Sequence, residues 1–299
     1  MITRQILGLG TIVIDHQLFV DRFPTVDTKV EATGSRYQIG GPVPTALVFL
    51  SRLGHDCSYV GVWGDDQFGQ TIESDLRAEK IRFSPDCRQA IETGLAQVWV
   101  DEASGSRTIV CRRVSPDEAS LSRPLESLPE KGILTLDGWP PNLAVQAAQA
   151  ARQQGLTVFL DTGSPKGRTD ELLRHVDLVN APRRFLRQFF DSDHIESGAQ
   201  QLLAFGPKMV TVTDGERGAW LFTRDNTYHQ TAFPIEAVDT TGAGDIFSGA
   251  LVHASLQDWS EQRMLKFASA AAALKCRQPG NRDALPTHEQ IEDFLAITD

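Results

Sequence analysis

The chain has 299 residues, 41% of them hydrophobic and 23% charged, enough to bury one large core in the ordinary globular way. A formal net charge of −10 argues against nucleic acid or an anionic membrane as a partner, so a site for an anionic ligand must create its own positive potential. Cys57, Cys87, Cys111 and Cys276 show neither CxxC nor His spacing, no apolar run approaches the ~18 residues of a membrane span, and no leader pattern precedes the first strand, so a reduced, cytoplasmic protein is expected.

In chain order the first strand is predicted over 6–14, carrying Gly8-Leu9-Gly10 and ending against Asp15. Residues 17–37 read as an extended pair, and Gly40-Gly41 opens a helix predicted over 44–53. A strand over 57–62 and a helix over 68–79 follow. A second extended pair over 93–113 turns at Glu102-Ala103-Ser104-Gly105-Ser106. Strands over 132–136, 157–161, 178–180 and 209–213 then alternate with helices over 143–154 and 196–205. After an extended stretch over 228–238 the pattern is helical at 246–256, 261–275 and 288–297. Strands alternating with helices predict a mainly parallel sheet covered on both faces. The two extended pairs interrupt that alternation and are expected to form a separate small sheet.

Val238-Asp239-Thr240-Thr241-Gly242-Ala243-Gly244-Asp245 carries the most chemistry. Glycines before a helix let backbone N–H groups converge where the helix's unpaired amides and dipole already favour an anion. Asp245 opposes that anion by charge, so its expected task is to take a proton from a hydroxyl attacking whatever Gly242, Ala243 and Gly244 hold. An anion seat beside a carboxylate predicts phosphoryl transfer to an alcohol. The chain has no GxxxxGK[ST], so this is not a P-loop enzyme.

This segment resembles the signature of the ribokinase (PfkB) family of carbohydrate and nucleoside kinases, D-T-x-G-A-G-D. Gly8-Leu9-Gly10, Gly40-Gly41, Gly61-Val62-Trp63-Gly64-Asp65-Asp66-Gln67-Phe68-Gly69 and Thr213-Asp214-Gly215-Glu216-Arg217-Gly218-Ala219 resemble further family landmarks, so the likeness runs along nearly the whole chain. It implies a ribokinase-like three-layer α/β/α domain over 1–299, with 12–38 and 93–113 as a discontinuous β lid over the sugar that often also makes a homodimer contact. It implies ATP and Mg²⁺ as cofactors and a small sugar as substrate. Asp15, Asp27, Gly40, Gly41 and Thr45 are the expected sugar contacts. Asn180, Thr213, Gly215 and Gly218 are the expected nucleotide contacts, and Asp239 is expected at a monovalent-cation (K⁺) site.

Two positions depart from the family pattern. Thr45 stands where an Asn is expected, which replaces two amide ends by one hydroxyl. Asn180-Ala181-Pro182-Arg183 puts an arginine where a Glu usually helps to hold Mg²⁺. Local likeness around Glu102–Ile109 and 267–280 points to the ketohexokinase and sulfofructose-kinase branch, hence a ketohexose-like sugar, with Arg107, Arg112 and Arg113 available for an anionic substituent. A nucleoside acceptor and a non-catalytic sugar sensor are the competing readings.

Overall fold

A computed structural model describes residues 4–103, 107–123, 125 and 128–298. The chain begins with β1 (Gln5–Leu9), β2 (Val13–Val20), β3 (Gly34–Gly40) and α1 (Pro42–Arg52). Next come β4 (Asp56–Val60), β5 (Trp63–Gly64), α2 (Gln67–Ala78), β6 (Arg82–Phe83) and β7 (Arg88–Gln89). Then follow β8 (Leu95–Asp101), β9 (Arg107–Arg112), α3 (Glu118–Ser122), β10 (Gly132–Leu136) and α4 (Pro141–Gln153). The middle of the chain holds β11 (Thr157–Asp161), α5 (Thr169–Leu173), β12 (Leu178–Pro182), α6 (Arg183–Phe190) and α7 (Ile195–Ala204). It ends with β13 (Met209–Thr213), β14 (Ala219–Phe222), β15 (Thr227–Gln230), α8 (Ala243–Ser255), α9 (Glu261–Cys276) and α10 (His288–Thr298).

Nine strands form one sheet in the order β15-β14-β13-β12-β11-β10-β1-β4-β6, parallel from β6 to β13, with β14 and β15 antiparallel at one edge. The inner strands are apolar on both faces because helices cover both, and Ile133, Leu134, Leu136, Val158 and Phe159 are all buried. On one face α8 packs against α1 and α9, and Gly249 admits that approach, since a Cβ there would lie 3.2 Å from the Phe49 ring. This is the expected mainly parallel sheet with helices on both faces.

The extended pairs form a second sheet, β3-β2-β8-β9, with β2 and β8 parallel in its centre. Its second strand in chain order, β3, runs to Gly40, two positions past the predicted limit of 38. The end of the 102–106 turn lies outside the described residues.

Two sequence expectations are corrected. The strand over 6–14 is two strands in different sheets. At Gly10-Thr11-Ile12 the chain leaves β1, and the Thr11 N–H turns to the Asp137 carboxylate at 3.0 Å instead of a ladder partner. The extended stretch over 228–238 is a strand only through Gln230, because its partner β14 begins at Ala219 and offers no further backbone groups. The N–H groups of Val238 and Asp239 instead reach the Cys276 carbonyl at 2.8 and 3.2 Å, tying the signature loop to the end of α9.

Behind α8, His55 and His253 share a hydrogen bond of 2.9 Å in the core. Burial lowers their pKa values to about 4 and about 3. The unfolded chain then binds more protons than the native one, so this pair's stabilisation is complete above pH ~6.5 and is lost as pH falls toward 4. The expected loss by pH 5 is about 2 kcal/mol for one such histidine. Urea unfolding at pH 7.5 and 5 checks it, and an unchanged free energy would mean the pair is not held neutral.

Candidate active site

The site is built on the first turn of α8. Gly242 caps the helix with φ 78°, a conformation that glycine adopts without steric cost. The Ala243 N–H closes the turn onto the Thr240 carbonyl at 3.2 Å. The N–H groups of Gly242 and Gly244 have no protein partner among the described residues and remain to meet an anion. Of the three expected amides, two are therefore free in this state.

Asp245 lies on the same turn, half-buried, with its pKa raised to about 7, chiefly by burial and then by the Asp161 carboxylate, against the opposing pull of Arg107. Asp15 on β2 also acts on it electrostatically, and burial holds Asp15 itself up at about 6. Two acids, one on the helix start and one on the small sheet, thus lie within electrostatic reach of each other near the carboxyl ends of the main-sheet strands, where ligands bind in open α/β folds. Gly40 leaves room for the Asp15 carboxylate, which a Cβ there would strike. Gly41 has φ 114° and lies against the Thr11 carbonyl, so the step from the small sheet into α1 depends on a residue without a side chain.

A buried polar chain fixes Asp245's helix. Ser248, nearly one turn on, donates to Asp161 at 2.7 Å and accepts from the Asn180 amide at 2.9 Å, whose oxygen accepts from Thr211 at 2.9 Å. This line pins α8 to the ends of β11 and β12 and to β13. Asn180, expected at the nucleotide, is buried with both amide ends engaged in this chain and holds Ser248.

Other expected residues divide. Thr213 ends β13 beside the Gly215–Arg217 turn, and Gly218 closes that turn with φ 89°, so the three expected nucleotide positions share one strand end. There Asp214 pairs with Arg183 at 3.1 Å and Arg217 at 2.7 Å, so Arg183 is held by a carboxylate. Thr45 is fully buried beneath Gly242, its methyl 3.7 Å from where a Cβ would be. Its hydroxyl finds no partner among the described residues. Asp27 sits on the exposed loop between β2 and β3 and is not brought into the cleft. Asp239 accepts from Thr241 N–H at 2.8 Å and Gly280 N–H at 2.9 Å, and the buried Lys275 ammonium donates to its carbonyl at 2.7 Å.

Sequence reasoning missed Asp161, Asp137 and Lys166. Asp161 ends β11, Asp137 directly follows β10 and Lys166 lies in the loop after β11, so an acid at the end of an apolar strand was the available signal for the first two. Asp137 is buried and accepts from Thr11 and Trp139 N–H groups at 3.0 and 2.9 Å. Lys166 donates to the carbonyls of Thr162 and Ser164 at 3.1 and 3.2 Å. From the small sheet Arg107 reaches across to Thr240 at 3.0 Å, bridging β9 to the signature loop.

Free helix-end amides with one carboxylate on the same turn and a second nearby form an arrangement of the kind that phosphoryl transfer to an alcohol requires. The family model for pfkB family carbohydrate kinases matches residues 3–288, and the chain belongs to that family. It is a sugar kinase. It is 28% identical to an ATP-dependent ribose-1-phosphate kinase of Halopiger xanaduensis, with 98% of each chain covered. It is also 28% identical to probable fructokinase-2 of Arabidopsis thaliana, with 96% of each covered. The structure of Arabidopsis thaliana ribokinase complexed with ribose and ATP superposes with a TM-score of 0.79 at 23% identity, covering 98% of this chain and 99% of that one.

Proposed function

We propose that the enzyme transfers the γ-phosphoryl group of ATP to a primary hydroxyl of a small furanose sugar, with Asp245 as the general base. The observation that carries this is Asp245's place: on the helical turn whose Gly242 and Gly244 amides are free, with its pKa near 7. A base of that strength accepts the hydroxyl's proton at neutral pH as the oxygen becomes nucleophilic. The amides and helix dipole stabilise charge on the transferring group. Asp15 accepts hydroxyls from the opposite side and fixes which carbon's oxygen lies beside Asp245. Thr213, Gly215 and Gly218 line the nucleotide's approach. Mg²⁺ enters on the nucleotide phosphates, because Arg183 offers no ligand and is already paired.

The named sugars of the relatives share a primary hydroxyl on a small ring. Thr45, buried where an Asn amide would contact a pentose, supports the ketohexose reading within that class. ADP release on a panel of fructose, ribose, ribose 1-phosphate and adenosine tests it. Turnover of adenosine alone would establish the nucleoside reading, and sugar binding by calorimetry without ADP release would establish a sensor.

The small sheet serves in this reading as a lid over the sugar. Arg107's reach to Thr240 supports closure, and the exposed Tyr37, Ile109 and Val110 support a second copy of the sheet as cover in a homodimer. Sugar binding is expected to slow hydrogen exchange in 13–40 and 95–112 together, because strands with few packed neighbours exchange readily until covered. Exchange unchanged in both at saturating sugar would leave no role for closure.

A further inference from the structure

We propose that Lys275 is a built-in replacement for the monovalent cation beneath the phosphate-binding loop, so that this kinase needs no potassium ion. The inference rests on the proposed function, in which 239–244 presents its amides to a phosphate. A loop that turns successive N–H groups to one side turns oxygens to the other, and those oxygens attract a cation. Here the oxygens already have one. The Lys275 side chain is fully buried on the last turn of α9, and its ammonium donates to the Asp239 carbonyl at 2.7 Å and lies 3.7 Å from the Asp239 carboxylate.

Both Asp239 carboxylate oxygens are engaged as well. One Asp239 carboxylate oxygen accepts from Thr241 N–H at 2.8 Å and the other from Gly280 N–H at 2.9 Å. Arg36 stands 3.8 Å from that second oxygen. The Val238 and Asp239 N–H groups end on the Cys276 carbonyl, the residue after Lys275. A separate ion would have to displace the ammonium, leaving a buried lysine without its partner, which is strongly unfavourable. The residues around Asp239 therefore do not fit a bound potassium ion. Arg36 and Arg107 bring further positive charge to the same loop, Arg107 through Thr240.

Lys275 is a positioning residue, since it touches the loop and not the reacting atoms. Its role is to hold Asp239, and so the Gly242 turn, in the geometry that aims the free amides. Buried side chains that merely fill space are not rescued by an ion of matching charge, and this one should be.

The experiment measures ADP affinity by calorimetry and kcat on the accepted sugar, in potassium salts and in choline salts of equal ionic strength. The wild-type protein is expected to change by less than about twofold in either, a difference too small to reflect a coupled site. Lys275→Ala opens room for an ion and is expected to lose about 10²-fold in kcat in choline, the cost of misplacing a catalytic group. Potassium or ammonium, but not lithium, should restore much of that loss. Severalfold activation of the wild type by potassium would overturn the proposal even if the variant fails to fold. So would a Lys275→Ala enzyme that is fully active in choline, or inactive with every ion. No ADP binding in any salt would overturn the kinase reading itself, and this inference with it.

Discussion

Asp245→Asn is expected to fold as the parent does and to lose about 10²–10⁴ in kcat, the range a positioned general base supplies. The amide keeps the shape of the carboxylate on the first turn of α8 but accepts no proton. The raised pKa adds a second readout. Asp245 must be ionised to act, and burial with the nearby Asp161 holds its pKa at about 7, so it is half protonated there. The parent's kcat/KM should therefore fall about tenfold per unit as pH drops below that value, and be level above it. Removing the carboxylate should flatten this limb together with the rate. More than a tenth of parental turnover in the variant, with chemistry rate-limiting, would falsify the assignment.

Gly244→Val is expected to leave the fold intact and abolish turnover. Gly244 lies inside α8 with ordinary helical backbone, and a Cβ there meets no atom within 4 Å. The left-handed residue of this motif is Gly242, whose φ is 78°. Valine at 244 thus costs little strain and projects into the open mouth of the anion seat, next to one of its two free amides. Losing a single donor of this kind costs about 10²–10³ in rate, and a bulky group in the seat should exceed that. Thermal unfolding and kcat measured on the same sample separate the two effects. Parental turnover with a parental melting temperature would show that the transferring phosphoryl group sits elsewhere.

Most of the fold was legible because its signals are local. Apolar runs such as 157–161 and 209–213 are buried on both faces, so their composition alone marks parallel strands, and the helices between them keep their period over three turns. The signature was legible for a similar reason: the Gly242 turn and Asp245 lie within four residues and one helical start. Where reading failed, a distant partner had decided. The strand over 6–14 breaks because Asp137, far along the chain, offers Thr11 a better acceptor than a continued ladder. The burial of Thr45 is of the same kind, since it comes from the cap of α8, nearly two hundred residues along the chain.

The sequence by itself determined the α/β alternation, the two inserted β pairs, the helix-end glycines and the acid that follows them. Each of these depends on residues within a few positions of one another. Only the tertiary structure decided which acids come within reach of one another, since Asp15, Asp161 and Asp245 lie on β2, β11 and α8 and meet only through the packing of these elements. It also decided that Asn180 anchors α8 through Ser248, that Asp214 holds Arg183, and that Lys275 lies under the signature loop. The physical reason is the same in each case. Burial raises the cost of an unpaired polar group, and the partner that removes that cost is chosen by packing in space, not by distance along the chain.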